Sequence, residues 1–133
     1  MSFISKSWHR VIAIIGIATL AACASADYQY SQLYGKRYSR APIDTYDVTI
    51  LRVDGKDTLY RQVLVDPGVR KIVVKGPPGG ASTWGEEREI VLDVRPCTRY
   101  YLVAVRPNRL ASDFDVRVDY EEPLGGCKPP ARS

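Results

Sequence analysis

The stretch YDVTILRVDGKDTLYRQVLVDPGVRKIVVK, residues 46–75, decides the fold class. Branched and aromatic side chains dominate three runs, 46–53, 58–65 and 69–75. Such side chains suit a pleated, half-buried strand. Between the first two runs stands DGKD (54–57), a hairpin signature, because glycine accepts the positive φ that a two-residue loop demands. Between the second and third stands DPG (66–68), with proline and glycine where turns want them. Val48, Ile50, Val63, Val65, Ile72 and Val74 fall on the inward side of these runs.

Further along, GPPGGASTWG (76–85) suits neither helix nor strand and reads as the longest loop of the domain. EREIVLDV (87–94) alternates, with Ile90, Leu92 and Val94 on one side. RYYLVAVR (99–106) is almost continuously apolar, as a central strand covered on both faces would be, and Pro107 ends it. Leu102 and Ala104 are its inward residues. DFDVRVDY (113–120) alternates most cleanly: Phe114, Val116, Val118 and Tyr120 point one way, Asp113, Asp115, Arg117 and Asp119 the other. No segment sustains an apolar period of 3.6 residues. The expectation is an all-β fold, a small antiparallel sandwich of six to seven strands over residues 46–127. Residues 23–45 are polar and tyrosine-rich, without a period, and read as a tether; 128–133 read as a tail. Within the tether, YGKRYSR (34–40) is either a strip for lipid headgroups or peptidoglycan, or a linker whose tyrosines partly pack on the domain.

The amino terminus has a different character. A polar, basic start carrying Lys6 and Arg10 precedes an apolar run from Val11 to Ala22, broken by Gly16 and Thr19. A spanning helix needs about 20 apolar residues. A run of about a dozen suits the apolar region of a cleaved leader. Its end, Leu20-Ala21-Ala22-Cys23, is similar to the lipobox of bacterial lipoproteins. That resemblance implies cleavage before Cys23, a diacylglyceryl group on its sulfur and an acylated amino terminus. Residues 1–22 are then the signal peptide. The other reading is an ordinary secretory leader cut near Ala22 or Ala26. Two or more acyl chains anchor stably, so the lipobox reading predicts a membrane-tethered domain. The same resemblance implies that Ala24 after the cysteine, where an aspartate would retain the protein at the inner membrane, favours the periplasmic face of the outer membrane.

Two further stretches carry a resemblance. VDG (53–55) followed by VDPGVRKIVV (65–74) resembles the PEGA-type modules of surface proteins and lipoproteins, in which a strand leads into a proline-glycine turn and an outward-alternating strand. RPCTRYYLVA (95–104) with VDYEEPLGGC (118–127) is similar to a group of small proteobacterial lipoproteins in which Pro-Cys and a terminal Gly-Cys frame the last strands. The resemblance implies an immunoglobulin-like or transthyretin-like sandwich and no catalytic residues. In an oxidising compartment Cys97 and Cys127 are expected to form a disulfide, the alternative being two buried thiols.

Composition narrows the chemistry. The chain has 19 basic and 15 acidic side chains, and Lys6 and Arg10 leave with the leader, which halves the formal excess of +4. The charges are interspersed, unlike the clustered basic face of a nucleic-acid binder. The sole histidine, His9, lies in the leader. A Ser-His-Asp or Cys-His arrangement would lack its proton shuttle. Gly80 and Gly85 have Walker-type spacing, but Glu86 stands where lysine belongs. Asp113, Asp115 and Asp119 lack the glycine and spacing of a calcium loop. No metal, cofactor or enzymatic activity is expected. Trp84, on the long loop, is either an exposed anchor for a protein or sugar or a cap over the core edge. Arg106 and Arg109 either line a rim with it or are solvated surface. The expected function is non-catalytic: a binding or structural accessory of the cell envelope with a protein partner. The alternatives are an inhibitor or immunity lipoprotein of an envelope hydrolase, and a peptidoglycan or glycan binder.

Overall fold

The computed structural model of the chain describes residues 29–40, 42–79 and 84–128. The described residues form nine strands and no helix: β1 (Ser31–Tyr34), β2 (Thr45–Asp47), β3 (Thr49–Val53), β4 (Lys56–Tyr60), β5 (Gln62–Val65), β6 (Gly68–Lys75), β7 (Glu87–Val94), β8 (Thr98–Val105) and β9 (Asp115–Pro123). They make a β-sandwich. One sheet is built on β8, which has β9 antiparallel along one edge. Along its other edge lie β1, parallel, and then β2, antiparallel. β5 closes this sheet by pairing with β1. The second sheet runs β4-β3-β6-β7, antiparallel throughout.

Alternation explains the core. Ile50, Ile72, Val74, Leu102 and Ala104 are fully buried, Val48, Val65, Val94 and Phe114 nearly so, and Val63, Ile90, Leu92, Val116 and Val118 pack against them. β8 is covered on both faces from Tyr100 to Ala104, as its unbroken apolar run predicts. The Asp54-Gly55 loop has positive φ at both residues, 49° and 80°. This is the geometry whose twist matches the flanking strands. Asp54 also fastens the hairpin to β6. Its carboxylate accepts the Lys71 N–H at 2.9 Å and pairs with Arg70 at 3.0 Å. The Lys71 N–H foremost, with Arg70, holds the carboxyl below the usual aspartate range.

Four expectations need correction. Each of the runs 46–53 and 58–65 is two strands rather than one. The chain leaves the first sheet for the second at Val48, between β2 and β3, and returns at Arg61, between β4 and β5. An apolar run continues through such a switch, so its composition does not mark it. Second, the tether over 23–45 is too long. Ser31–Tyr34 is an inner strand and Leu33 is fully buried, so the ordered domain begins before residue 46. A four-residue strand is too short to display a period, and its partners lie far away in sequence. Third, the sheets are not purely antiparallel, because β1 runs parallel to β8.

Fourth, Tyr120 does not face inward with Val118. The register slips between Tyr101 and Leu102, opposite Asp119 as the extra residue. Such a bulge reverses which side follows. Tyr120 stacks outside on Tyr38, ring centres 3.9 Å apart, and Tyr38 meets Tyr101 edge-on at 5.2 Å. The tyrosines of YGKRYSR therefore pack on the domain.

The two ends of the sandwich differ. At one end Cys97 and Cys127 are joined in a disulfide, their Cα atoms 5.5 Å apart. The Ser31 hydroxyl donates to the Arg95 carbonyl and accepts the Thr98 N–H, and the Cys97 N–H donates to the Gln29 carbonyl. The chain thus joins the domain at this disulfide pole. β8 runs from here to the opposite pole, about 23 Å away at ~3.3 Å per residue. Cys23 and the leader before it lie outside the described residues. Among the described residues no helix is long and apolar enough to cross a membrane.

Candidate functional site

The pole opposite the disulfide holds two adjoining recesses. The first, about 450 Å³, lies among Trp84, Lys75, Tyr46, Thr49 and Arg61. The second, about 500 Å³, is lined by Arg40, Ile43, Arg106 and Arg109. Arg37, Tyr46 and Pro78 border both, so the two form one groove. Each wall follows from the topology. Lys75 ends β6, Tyr46 lies in β2, Arg61 is the switch between β4 and β5, and Arg106 follows β8. Arg37 and Arg40 come from the segment after β1, which the sheet order brings beside β8.

The groove is cationic. Among its described lining residues Asp47 is the one carboxylate. Arg37 holds it at 3.5 Å, also donating its own backbone N–H at 2.9 Å, and Arg61 approaches at 3.9 Å. The Lys75 ammonium stands 5.2 Å from the Trp84 ring centre. That contact places the charge within reach of the ring quadrupole. Trp84 is 74% exposed. It does not fold down to cap the core edge.

Arg106 is a correction. Neither a solvated surface residue nor an open rim residue, it is only 3% exposed. Its two terminal nitrogens donate to the Pro78 and Pro77 carbonyls at 3.0 and 2.6 Å, and its guanidinium carbon lies 5.5 Å from the Tyr46 ring centre. A planar fork on a long stem can reach two successive carbonyls of a proline-proline turn that has no strand partners. Arg106 therefore shapes the groove floor by holding the loop. An Arg106→Lys variant cannot reproduce the fork. It is expected to lose about 2 kcal/mol of stability, read as a lower urea midpoint at unchanged slope. An unchanged midpoint would mean that the proline carbonyls find water instead. Arg109, by contrast, is exposed on the wall of the second recess.

A smaller recess, about 220 Å³, opens where β4 and β5 part, beside Val53, Val63, Leu64 and Arg70. Its arginine is committed. Arg70 donates to the Asp66 and Pro67 carbonyls at 3.0 and 2.7 Å and pairs with Asp54. In the larger groove Arg40 and Arg109 make no ion pair among the described residues.

The structure thus brings Trp84, Arg106 and Arg109 to one pole. It adds Arg37, Arg40, Arg61, Lys75, Tyr46 and Ile43, which sequence reasoning did not select. The basic-aromatic strip YGKRYSR held part of the signal. Arg61 had none, sitting inside an apparent strand. Chemically the arrangement suits the holding of an anion, because guanidinium groups match carboxylates and phosphates through paired hydrogen bonds. Among the described residues no group of histidine, cysteine and carboxylate side chains is placed to hold a metal. Comparison with family models, curated proteins and solved structures found no match to this chain.

Proposed function

We propose that the chain is a lipid-anchored cell-envelope protein, held through Cys23 on the periplasmic face of the outer membrane, whose sandwich is a non-catalytic binding module. The observation that carries this reading is the polarity of the domain. The chain joins at the disulfide pole, and the cationic groove with Trp84 opens at the other. A residue at Cys23 reaches at most about 20 Å from Gln29, given the extended span of the chain. Anchoring there attaches the domain by its disulfide pole, with the groove at the far end of β8. Confinement to a surface raises effective concentration near other envelope components, so modest contacts suffice. An inhibitor of an envelope hydrolase is the second reading, favoured by an exposed indole on a glycine- and proline-rich loop.

The anchor is tested by growing bacteria that express the full chain with an alkyne-bearing palmitate. The wild type is expected to take up label and to fractionate with outer membranes. Cys23→Ser is expected to lose both. Label retained in Cys23→Ser, or absent from the wild type, would overturn the lipobox reading.

A further inference from the structure

The groove pole carries apolar side chains among its cations. Ile43 is 80% exposed, Leu110 83% and Trp84 74%. Ile43 lies in the wall of the second recess, and Leu110 adjoins Arg109 in the turn between β8 and β9. These three side chains gain by leaving water, and the guanidinium groups of the groove gain by meeting carboxylates. A ligand for the pole must supply both. We propose that this pole docks an acidic protein segment, a stretch of chain in which several Asp or Glu side chains flank apolar ones. The proposal deepens the binding-module reading above and rests on it.

Three observations favour a protein over other anionic ligands. A sugar chain draws binding from stacking on aromatic faces, and Lys75 already stands over one face of the Trp84 ring. The exposed aliphatic Ile43 and Leu110 offer a sugar nothing comparable. An anionic lipid surface would suit cations mixed with apolar side chains. The pole, however, lies about 23 Å, the length of β8, from where the chain joins the domain, at the end opposite the proposed anchor. The composition of the groove, with Trp84, Tyr46 and several arginines around an apolar rim, is that of residues that dominate protein interfaces. Clustered arginines are a recurrent means of reading acidic segments.

The charges assign roles. Arg40 and Arg109, exposed and without ion pairs among the described residues, are the contacts for incoming carboxylates. Arg37 and Arg61 already share Asp47. Arg106 is the buried support of the loop.

The test uses the full-length, membrane-anchored chain in cells, with the photo-crosslinking residue p-benzoylphenylalanine at position 110. The same chain is made with Arg40→Glu and Arg109→Glu together. Both positions are exposed, and an unchanged melting temperature of the purified double variant verifies folding. The expected result is a discrete protein adduct whose cross-linked peptide is rich in Asp and Glu. Its yield should fall about tenfold or more on charge reversal, since like charges then face each other across the interface. The proposal is overturned by adducts to glycan or lipid alone, by a cross-linked peptide that is neutral or basic, by a yield indifferent to charge reversal, or by no protein adduct. Palmitate labelling of the same cells separates the two readings. Label with no acidic adduct defeats the docking proposal alone, whereas an acidic adduct without label defeats the anchor alone.

Discussion

A Cys97→Ser/Cys127→Ser variant is expected to lose roughly 3–4 kcal/mol of stability. The bond closes a loop with a sequence separation of 30, and in the chain-entropy model such a loop restricts the unfolded chain by about that much. For a domain of this size the melting temperature should fall by roughly 15–25 °C. The bond also ties the segment after β9 back to the start of β8. After β9 ends at Pro123, the Leu124 N–H donates to the Cys97 carbonyl at 2.8 Å, and Cys127 is the next fixed point. The same pole receives the chain through Gln29 and Ser31. Serine nearly matches cysteine in size, so the substitution isolates the bond from the packing. Thermal unfolding of the wild type with and without reductant should reproduce the difference. If oxidised, reduced and double-serine forms melted together, the β8–β9 ladder alone would be holding the carboxyl end.

Gly35→Ala is expected to cost about 3 kcal/mol, by overpacking and by lost hydrogen bonds. Gly35 lies against both places where the chain changes sheet. Its N–H donates to the Arg61 carbonyl at 2.6 Å, and its carbonyl accepts the Val48 N–H at 2.8 Å. A Cβ there would overlap the Val48 carbonyl oxygen and come within 3.1 Å of the Val48 carbonyl carbon. Backbone cannot turn aside as a flexible side chain can, so either the overlap persists or both hydrogen bonds lengthen. The right comparison is Gly125→Ala, where a Cβ meets nothing within 4 Å. That change is expected to stay within about 0.5 kcal/mol. Chemical denaturation of the pair measures the difference directly. Equal midpoints would mean that the junction at Gly35 moves freely. The groove should suffer with it, because Arg37 and Arg61 are positioned from the two sides of this junction.

The two glycines at Gly35 and Gly55 show what a sequence can and cannot reveal. Gly55 is legible, since Asp-Gly between two apolar-rich runs announces a hairpin, and its φ of 80° agrees. Gly35 has no positive φ to require it. It is fixed by the approach of Val48 and Arg61, which are distant in the chain, and nothing in the residues around it signals that approach. Leu33 and Tyr100 differ in the same way from Ile72 and Leu102. All four are buried. Ile72 and Leu102 stand in long strands whose patterns mark the inward side. Leu33 has only a four-residue strand. Tyr100 sits in an apolar run where its phenol is buried because it accepts the Arg95 N–H at 2.8 Å. A buried phenol needs that partner, and the residues alone do not supply it.

The all-β class, the inward side chains of the long strands, the hairpin at Asp54-Gly55 and the two cysteines available for a disulfide are all legible in the residues alone. These follow from alternation, turn chemistry and counting, which are local properties of a chain. The two sheet switches at Val48 and Arg61, the inner strand at Leu33, the reversal at Tyr120 and the burial of Arg106 emerge with the packing of the folded domain. It alone gathered Arg37, Arg61, Lys75, Trp84 and Arg109 at the pole away from the disulfide. The physical reason is that a groove is a product of pairing between distant segments. Which strand lies beside which is set by packing across the whole domain, and a side chain's neighbours are chosen there rather than by its neighbours in sequence.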